Sequence, residues 1–305
     1  MRVLVTGGAG FIGSHLTDAL VDRGDEVLVV DDLSTGERAY VNPSAAFEEL
    51  DIRTPEAAAL VQSWRPDAIC HLAAQMSVSR SVREPLFDAG VNLSGALNVL
   101  EAARAVGARF VFASTGGALI GDAAPPVDES SVPRPISPYG ASKLAGEGYC
   151  HAFRGSYGLE TIALRFANVY GPGSDLKRGA VTTFIKRALA GEPLTIYGDG
   201  GATRDFIYVD DLCAGILAAL DRRDVQGVVH LASERETTIE ELARLVLAAA
   251  GADAPIEHVA RRRGEVERNF AVARLAGEVL GWRAGMTLED GLAARSRGFA
   301  GSADR

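Results

Sequence analysis

An apolar strand that runs straight into a glycine-rich turn and then a helix constrains this chain more than any other feature. Arg2–Thr6 (RVLVT) has a buried-strand pattern, Thr6-Gly7-Gly8-Ala9-Gly10-Phe11-Ile12-Gly13 follows it, and helical periodicity runs over Ile12–Arg23. In that context Gly7, Gly10 and Gly13 serve a tight turn, close approach of the backbone to a pyrophosphate, and packing of helix on strand. Amides at the helix N-terminus then face the phosphates. Further apolar runs at Glu26–Asp31, Ala68–Leu72 and Phe110–Ser114 alternate with helix-period stretches at Pro55–Ser63 and Pro85–Val106. Strand and helix alternating this way predict an α/β fold, a doubly wound parallel sheet covered by helices on both faces.

The second half keeps the alternation more loosely. Pro138–Tyr157 is helical with Pro138 in its first turn, and Thr161–Phe166 is a strand. Asn168–Ala180 and Glu192–Phe206 are rich in Gly, Pro and Asp and read as binding loops. Helices resume at Asp210–Leu220, at Ile239–Ala250, where Thr238 and Glu241 form a capping box, and at Thr287–Arg297. The expected organisation is a dinucleotide-binding domain over 1–170 and a smaller C-terminal substrate-binding lobe over 171–305, interleaved through a sheet segment at Val228–Leu231.

Composition narrows the function. A net charge of −9 argues against a nucleic-acid partner, so any bound phosphate must be met by a local basic cluster. Cys70, Cys150 and Cys213 lack ligand or disulfide spacing and read as buried thiols of a reducing, cytoplasmic compartment. The N-terminus does not read as a signal peptide, and the absence of a long apolar run argues against a membrane span. The five histidines are scattered without metal-ligand spacing, so no metal is expected.

Two sets of polar residues carry chemistry. Asp31 ends the second strand, eighteen residues after Gly13, where a carboxylate accepts from ribose hydroxyls and repels a 2′-phosphate; this selects NAD, with Asp32 able to share the role. Asp51 and Ile52 are candidates to meet the adenine. Tyr139 and Lys143 lie four apart on one helical face, where the ammonium is expected to lower the phenol's pKa so that Tyr139 takes a hydroxyl proton.

With these features in place, the chain resembles the extended short-chain dehydrogenase/reductase superfamily, a Rossmann-type group. TGGAGFIGSHL, VDDLSTG, HLAAQ, VNLSGALNVLEAA, PYGASKLAGE, LRFANVYGPG and IYGDGGATRDFIYVDDL occur in the order of its nucleotide-sugar branch. Within that branch it is most similar to UDP-glucose 4-epimerases of the short bacterial type. The resemblance implies a homodimer with NAD, a UDP-sugar and a transient 4-keto sugar. It implies Tyr139 as base, Lys143 as its partner, and Thr115, with Ser114 second, as the third hydroxyl. On the cofactor side it adds Phe11, Ile12, Ser34, Thr35, Gly36, Leu72, Ala73, Ala74, Gln75, Asn92 and Phe166. On the substrate side it implies Ser77, Asn168, Val181, Thr195, Tyr197, Arg204, Arg262 and Glu265, with Asn269 facing the hexose 2-substituent.

Three positions depart from the branch: Gly116 replaces a serine, Ile120 a tyrosine, and Arg263 a proline. Gly116-Gly117 also stands where dehydratases carry Asp-Glu and decarboxylases a glutamate, which disfavours both. Lys177 and Arg178 keep a UDP-glucuronate 4-epimerase open, and Asn269 a UDP-N-acetylhexosamine 4-epimerase. A catalytically silent NAD-binding protein of the same fold is disfavoured, because Tyr139 and Lys143 are both present.

Overall fold

Each apolar run of the first half becomes a strand of one sheet. A computed structural model describes residues 1–121, 123–174, 179–261 and 266–294. Its principal strands are β1 (Arg2–Thr6), β2 (Glu26–Asp31), β3 (Ala46–Glu49), β4 (Ala68–His71), β5 (Arg109–Thr115) and β6 (Thr161–Phe166). Residues Gly227–Leu231 rejoin them as β11, once β7 (Asn168–Tyr170), β8 (Leu194–Tyr197), β9 (Thr203–Arg204) and β10 (Phe206–Tyr208) have been passed. The seven-stranded order is β11-β6-β5-β4-β1-β2-β3, and every pairing in it is parallel. The chain reverses winding direction between β1 and β4, so a crevice opens at their carboxyl ends, where ligands bind in sheets of this kind.

Helices cover both faces because the strands are apolar on both sides. They are α1 (Phe11–Asp22), α2 (Pro55–Trp64), α3 (Val78–Arg83), α4 (Pro85–Ala89), α5 (Ala96–Val106), α6 (Gly116–Ile120) and α7 (Pro138–Tyr157), followed by α8 (Ala180–Leu189) and α9 (Val209–Asp221). Beyond β12 (Thr237–Thr238) come α10 (Ile239–Ala250), β13 (Ile256–Val259) and α11 (Arg274–Leu280); residues 288–294 are also helical. One core cluster packs α1, α9 and α11 on the sheet, a second packs α2, α5 and α7 on the other side, and a third lies under α8 and α10. No described helix is long and apolar enough to cross a membrane.

The sequence reading differs from the structure in several places, and α3, α6, α8, α11, β10, β12 and β13 went unread. The stretches read as loops hold β7, β8 and β9. These strands pair only with distant segments: β7 with β10, β8 with β13, β9 with β12. The single helix expected over Pro85–Val106 is α4, a π-helical turn at Gly90–Gly95, and α5. The wider turn carries Asn92, whose carboxamide reaches a neighbouring loop. Ala46–Glu49, a short edge strand, also went unrecognised. The helix expected at Thr287–Arg297 begins with the Thr287 hydroxyl accepting from Asp290 N at 3.2 Å, and 295–297 lie outside the described residues.

Arg109 ties the two halves together. Its guanidinium is buried on β5 and donates to the carbonyls of Ala219, Arg222, Arg223 and Val225 at 2.8–3.2 Å. It thereby caps the C-terminus of α9, where carbonyls lack helical partners. Arg109→Met keeps the bulk but strands those carbonyls. We expect it to cost roughly 3 kcal/mol of stability. A denaturation midpoint equal to that of the parent would show that the carbonyls find other donors.

Candidate active site

The turn after β1 is shaped to approach other backbone closely. Gly7 has φ +74°, and a Cβ there would lie 2.6 Å from Ala73 N, so only glycine lets β1 and the segment after β4 meet. The N-cap of α1 is Gly10, with no side-chain hydrogen bond and no acid in the first turn. Its leading amides are thus left for an anion, which fits a dinucleotide pyrophosphate. Asp31 is buried at the end of β2; Oδ2 accepts from Ala9 N at 3.0 Å and Oδ1 from Leu33 N at 2.9 Å. Burial raises its pKa against the lowering effect of these two amides. The turn itself therefore aims this carboxylate.

Other expected cofactor residues divide. Phe11 and Ile12 open α1, and Gly36 packs on the backbone of Ala9. Asp32 is bound by Ser34, through its amide at 3.0 Å and hydroxyl at 2.6 Å; Thr35 follows in the same loop. Leu72 N bonds Thr6 O at 3.1 Å and Ala73 N bonds Thr6 Oγ1 at 3.3 Å, which hang the Leu72–Gln75 segment, Ala74 included, beside the turn. Asp51, by contrast, is clasped by Arg53, which lowers its pKa, and Ile52 turns into the second core cluster.

The wall that carries Tyr139 and Lys143 is built from β5, α6 and α7. Ser137 caps α7, its hydroxyl accepting from Gly140 N at 3.2 Å. A Cβ on Gly140 would lie 2.1 Å from Ala118 O, so glycine here lets the first turn of α7 rest on α6. That contact brings Tyr139 to Thr115, whose hydroxyl acts to lower the phenol's pKa. Phe166 pairs with Thr115 across β5 and β6. The phenol is pushed up to about 12, by burial first and then by the Asp88 carboxylate, against the Thr115 hydroxyl. This reverses the expected lowering. Burial dominates, and Lys143 Nζ is drawn to Ala113 O at 2.8 Å, lying over the Phe112 ring. Burial also pulls Lys143 down to about 8, with Asp88, Cys150 and Glu147 opposing.

The two candidate hydroxyls part ways. Ser114 donates to Glu147 Oε1 at 2.6 Å, and Glu147 is itself bound by Arg165 at 2.9 and 2.8 Å, all buried. Thr115 remains with Tyr139. Asn92 is fully occupied: Oδ1 accepts from Gln75 N at 2.8 Å, and Nδ2 donates to Gln75 O, Asp88 Oδ1 and Ser142 Oγ. Asp88, Glu147 and Arg165 went unremarked in the sequence. The available signal was Asp88 and Asn92 four apart in one helical pattern.

On the other flank, Asn168 N and Nδ2 donate to Asp205 O at 2.9 and 3.2 Å. Arg204 lies on β9, its Nη1 donating to Thr203 O at 2.7 Å. Asn269 is buried, its amide N bonded to Thr203 Oγ1 at 3.3 Å; a Cβ on Gly117 would meet its Nδ2 at 2.9 Å. β9 is thus linked through Asn269 to the turn after Thr115. Ser77 caps α3, Val181 lies in the third core cluster, and Thr195 accepts from Arg187 at 2.7 Å. Tyr197 is half-exposed at the end of β8. Ile120 is buried in the first core cluster. Lys177, Arg178, Arg262, Arg263 and Glu265 lie outside the described residues.

A parallel sheet with a glycine-rich turn at its switch point, an acid on β2, and a Tyr/Lys helix beside β5 defines a nucleotide-dependent enzyme of the short-chain dehydrogenase type. The profile of the NAD dependent epimerase/dehydratase family matches residues 3–232, and the chain belongs to that family. It is 38% identical over 302 residues to the UDP-glucose 4-epimerase of Mycolicibacterium smegmatis, covering 96% of each chain. It superimposes with a TM-score of 0.96 on the Thermotoga maritima UDP-glucose 4-epimerase with UDP-glucose, at 40% identity over 99% of this chain and 100% of that one. The Thermus thermophilus UDP-glucose 4-epimerase in complex with NAD gives 0.93 at 39% identity, over 99% and 100%.

The Ser114 and Thr115 hydroxyls should separate in stability. Ser114→Ala leaves a buried Glu147 oxygen short of one donor, an expected loss of about 1–2 kcal/mol. Thr115→Val, at the rim of the site, should cost well under that. Urea denaturation of both variants checks the order, and a larger loss for Thr115→Val would refute it.

Proposed function

We propose that the protein is an NAD-dependent UDP-hexose 4-epimerase, in which Tyr139 exchanges a proton with the sugar 4-hydroxyl. The observation that carries this reading is the placement of Tyr139 beside Thr115 at the carboxyl end of β5, on the sheet whose β1 ends in the Gly7–Gly13 turn. The family is NAD-dependent, and the similar proteins named above are UDP-glucose 4-epimerases. Residues 1–170 would hold NAD, with Asp31 on the ribose and the α1 amides on the pyrophosphate. The 171–305 lobe would hold the UDP-sugar, with Asn168, Arg204 and Arg262 toward the diphosphate; guanidinium groups suit it by offering paired donors.

Bound NAD supplies the hydride acceptor and, when oxidised, a positive charge that favours the phenolate. The chain's residues do the rest. Thr115 orients the phenol and the sugar hydroxyl between which the proton moves. Lys143, held over Phe112, sets the local potential while it carries its charge. Tyr139 receives the proton on oxidation and returns it once the 4-keto sugar has presented its other face. We further propose a cytoplasmic homodimer. Leu93 of the π-helical turn, Leu97 of α5 and Tyr149 of α7 form an apolar face, with Tyr149 41% exposed.

Tyr139→Phe should retain NAD but convert UDP-galactose about 10²–10⁴-fold more slowly. Near-parent turnover, measured by product separation, would overturn the assignment of the base.

A second reading concerns the sugar. Asn269, packed on Gly117, is smaller than an aromatic and leaves room for a 2-acetamido group. We expect less than about tenfold discrimination between UDP-galactose and UDP-N-acetylgalactosamine in the parent. Asn269→Tyr should reject the acetylated sugar. An unchanged ratio of kcat/KM values would show that Asn269 is not the gate.

A further inference from the structure

Beside the catalytic helix lies a buried carboxylate with one oxygen unbonded. Asp88 on α4 is 1% exposed. Oδ1 accepts from Gln75 Nε2 at 2.8 Å and Asn92 Nδ2 at 3.1 Å, while Oδ2 has no hydrogen-bond partner. Asn92 Nδ2 also reaches Ser142 Oγ at 3.2 Å, and that hydroxyl donates to Tyr139 O at 3.0 Å. A bonded path thus joins Asp88 to the turn of α7 that carries both Tyr139 and Lys143. Burying a carboxylate with an idle oxygen is costly unless a cation compensates.

We propose that Asp88 is a positioning residue for the reaction: its charge holds Lys143 as an ammonium and opposes the Tyr139 phenolate, fixing the pH window in which the pair works. The inference rests on the reading of Tyr139 as the base. The surroundings single out Asp88. Lys143 is also faced by Glu147 and Cys150 from its own helix, by His71 from β4 and by the Ala113 carbonyl from β5. Glu147 is neutralised by two bonds from Arg165. His71 is pushed down to about 3 by burial and bonds Thr6, and burial pushes the Cys150 thiol up; both are uncharged at neutral pH. Tyr139 is faced by Asp88 and Thr115. Asp88 is therefore the carboxylate, free of any ion pair among the described residues, whose field reaches both members of the pair. Its sign is the same for each: a negative neighbour raises the pKa of an ammonium and of a phenol alike.

The test is the pH dependence of kcat for UDP-galactose conversion by the NAD-loaded protein. Asp88→Asn retains shape and an acceptor for Asn92. It should slide both limbs of the profile to lower pH, by about one unit. Ser142→Ala, which cuts the same network without removing charge, should lower the rate and leave the limbs in place. Unmoved limbs in Asp88→Asn, or an equal slide in Ser142→Ala, would overturn the inference. Full turnover in Tyr139→Phe would instead refute the underlying reading, whatever Asp88→Asn does. If Asp88→Asn does not fold, the ¹³Cγ resonance of Asp88 in the parent decides. An ionised carboxyl across the active pH range supports the proposal, and a protonated one at neutral pH refutes it.

Discussion

The Asn92 carboxamide is the constraint on which the site depends. It closes a pair of hydrogen bonds with the backbone of Gln75, binds Asp88 and reaches Ser142. Three segments distant in sequence meet there: the loop after β4, the helix of Asp88 and the helix of Tyr139. Gln75 Nε2 adds a direct bond from the loop after β4 to Asp88 Oδ1 at 2.8 Å. The π-helical turn at Gly90–Gly95 widens the helix at this point and directs the side chain inward, a device frequent at functional sites. The loop after β4 and the helix that carries Tyr139 thus share one anchor.

The later half of the chain is held to the sheet by acids of another kind. Asp205 accepts from Ser233 N and Oγ and from Glu234 N at 2.7–3.2 Å, and burial pushes its carboxyl up to about 6. Its backbone carbonyl receives Asn168. Asp211 takes the amides of Gly285 and Met286, and its carbonyl takes the Trp282 indole. These are single acids each gathering several backbone donors. They fix loops without regular structure.

What the sequence discloses follows from locality. The β1 turn, Asp31 and the Tyr139/Lys143 spacing are each set within a few residues, so pattern alone finds them. β7, β8 and β9 have two to four residues apiece and exist through pairing with remote partners, so nothing local announces them. Spacing places Lys143 beside Tyr139. It cannot weigh burial, which raises the phenol, or the Ala113 carbonyl, which holds the ammonium. Ser114 and Thr115 look equivalent in sequence. Strand pleating separates them, sending one hydroxyl to Glu147 and the other to Tyr139. Arg109 precedes the run Phe110–Ser114 and nothing near it in sequence announces a role, yet it serves the end of a helix more than a hundred residues away.

The position of β11 bears on how the chain is made. It is the outermost strand next to β6, and its register with Thr161–Phe166 runs from Gly227 to Leu231. While a ribosome extends residues 167–226, the edge of β6, a row of unpaired N–H and C=O groups, has emerged without its neighbour. At synthesis rates of about 5–20 residues per second, that interval lasts on the order of several seconds. During it the nascent chain presents a bare, pairing-competent strand edge, the kind of surface that recruits other strands. Chaperone demand for this protein should therefore peak late in translation, and pausing codons between β10 and β11 would lengthen the exposure.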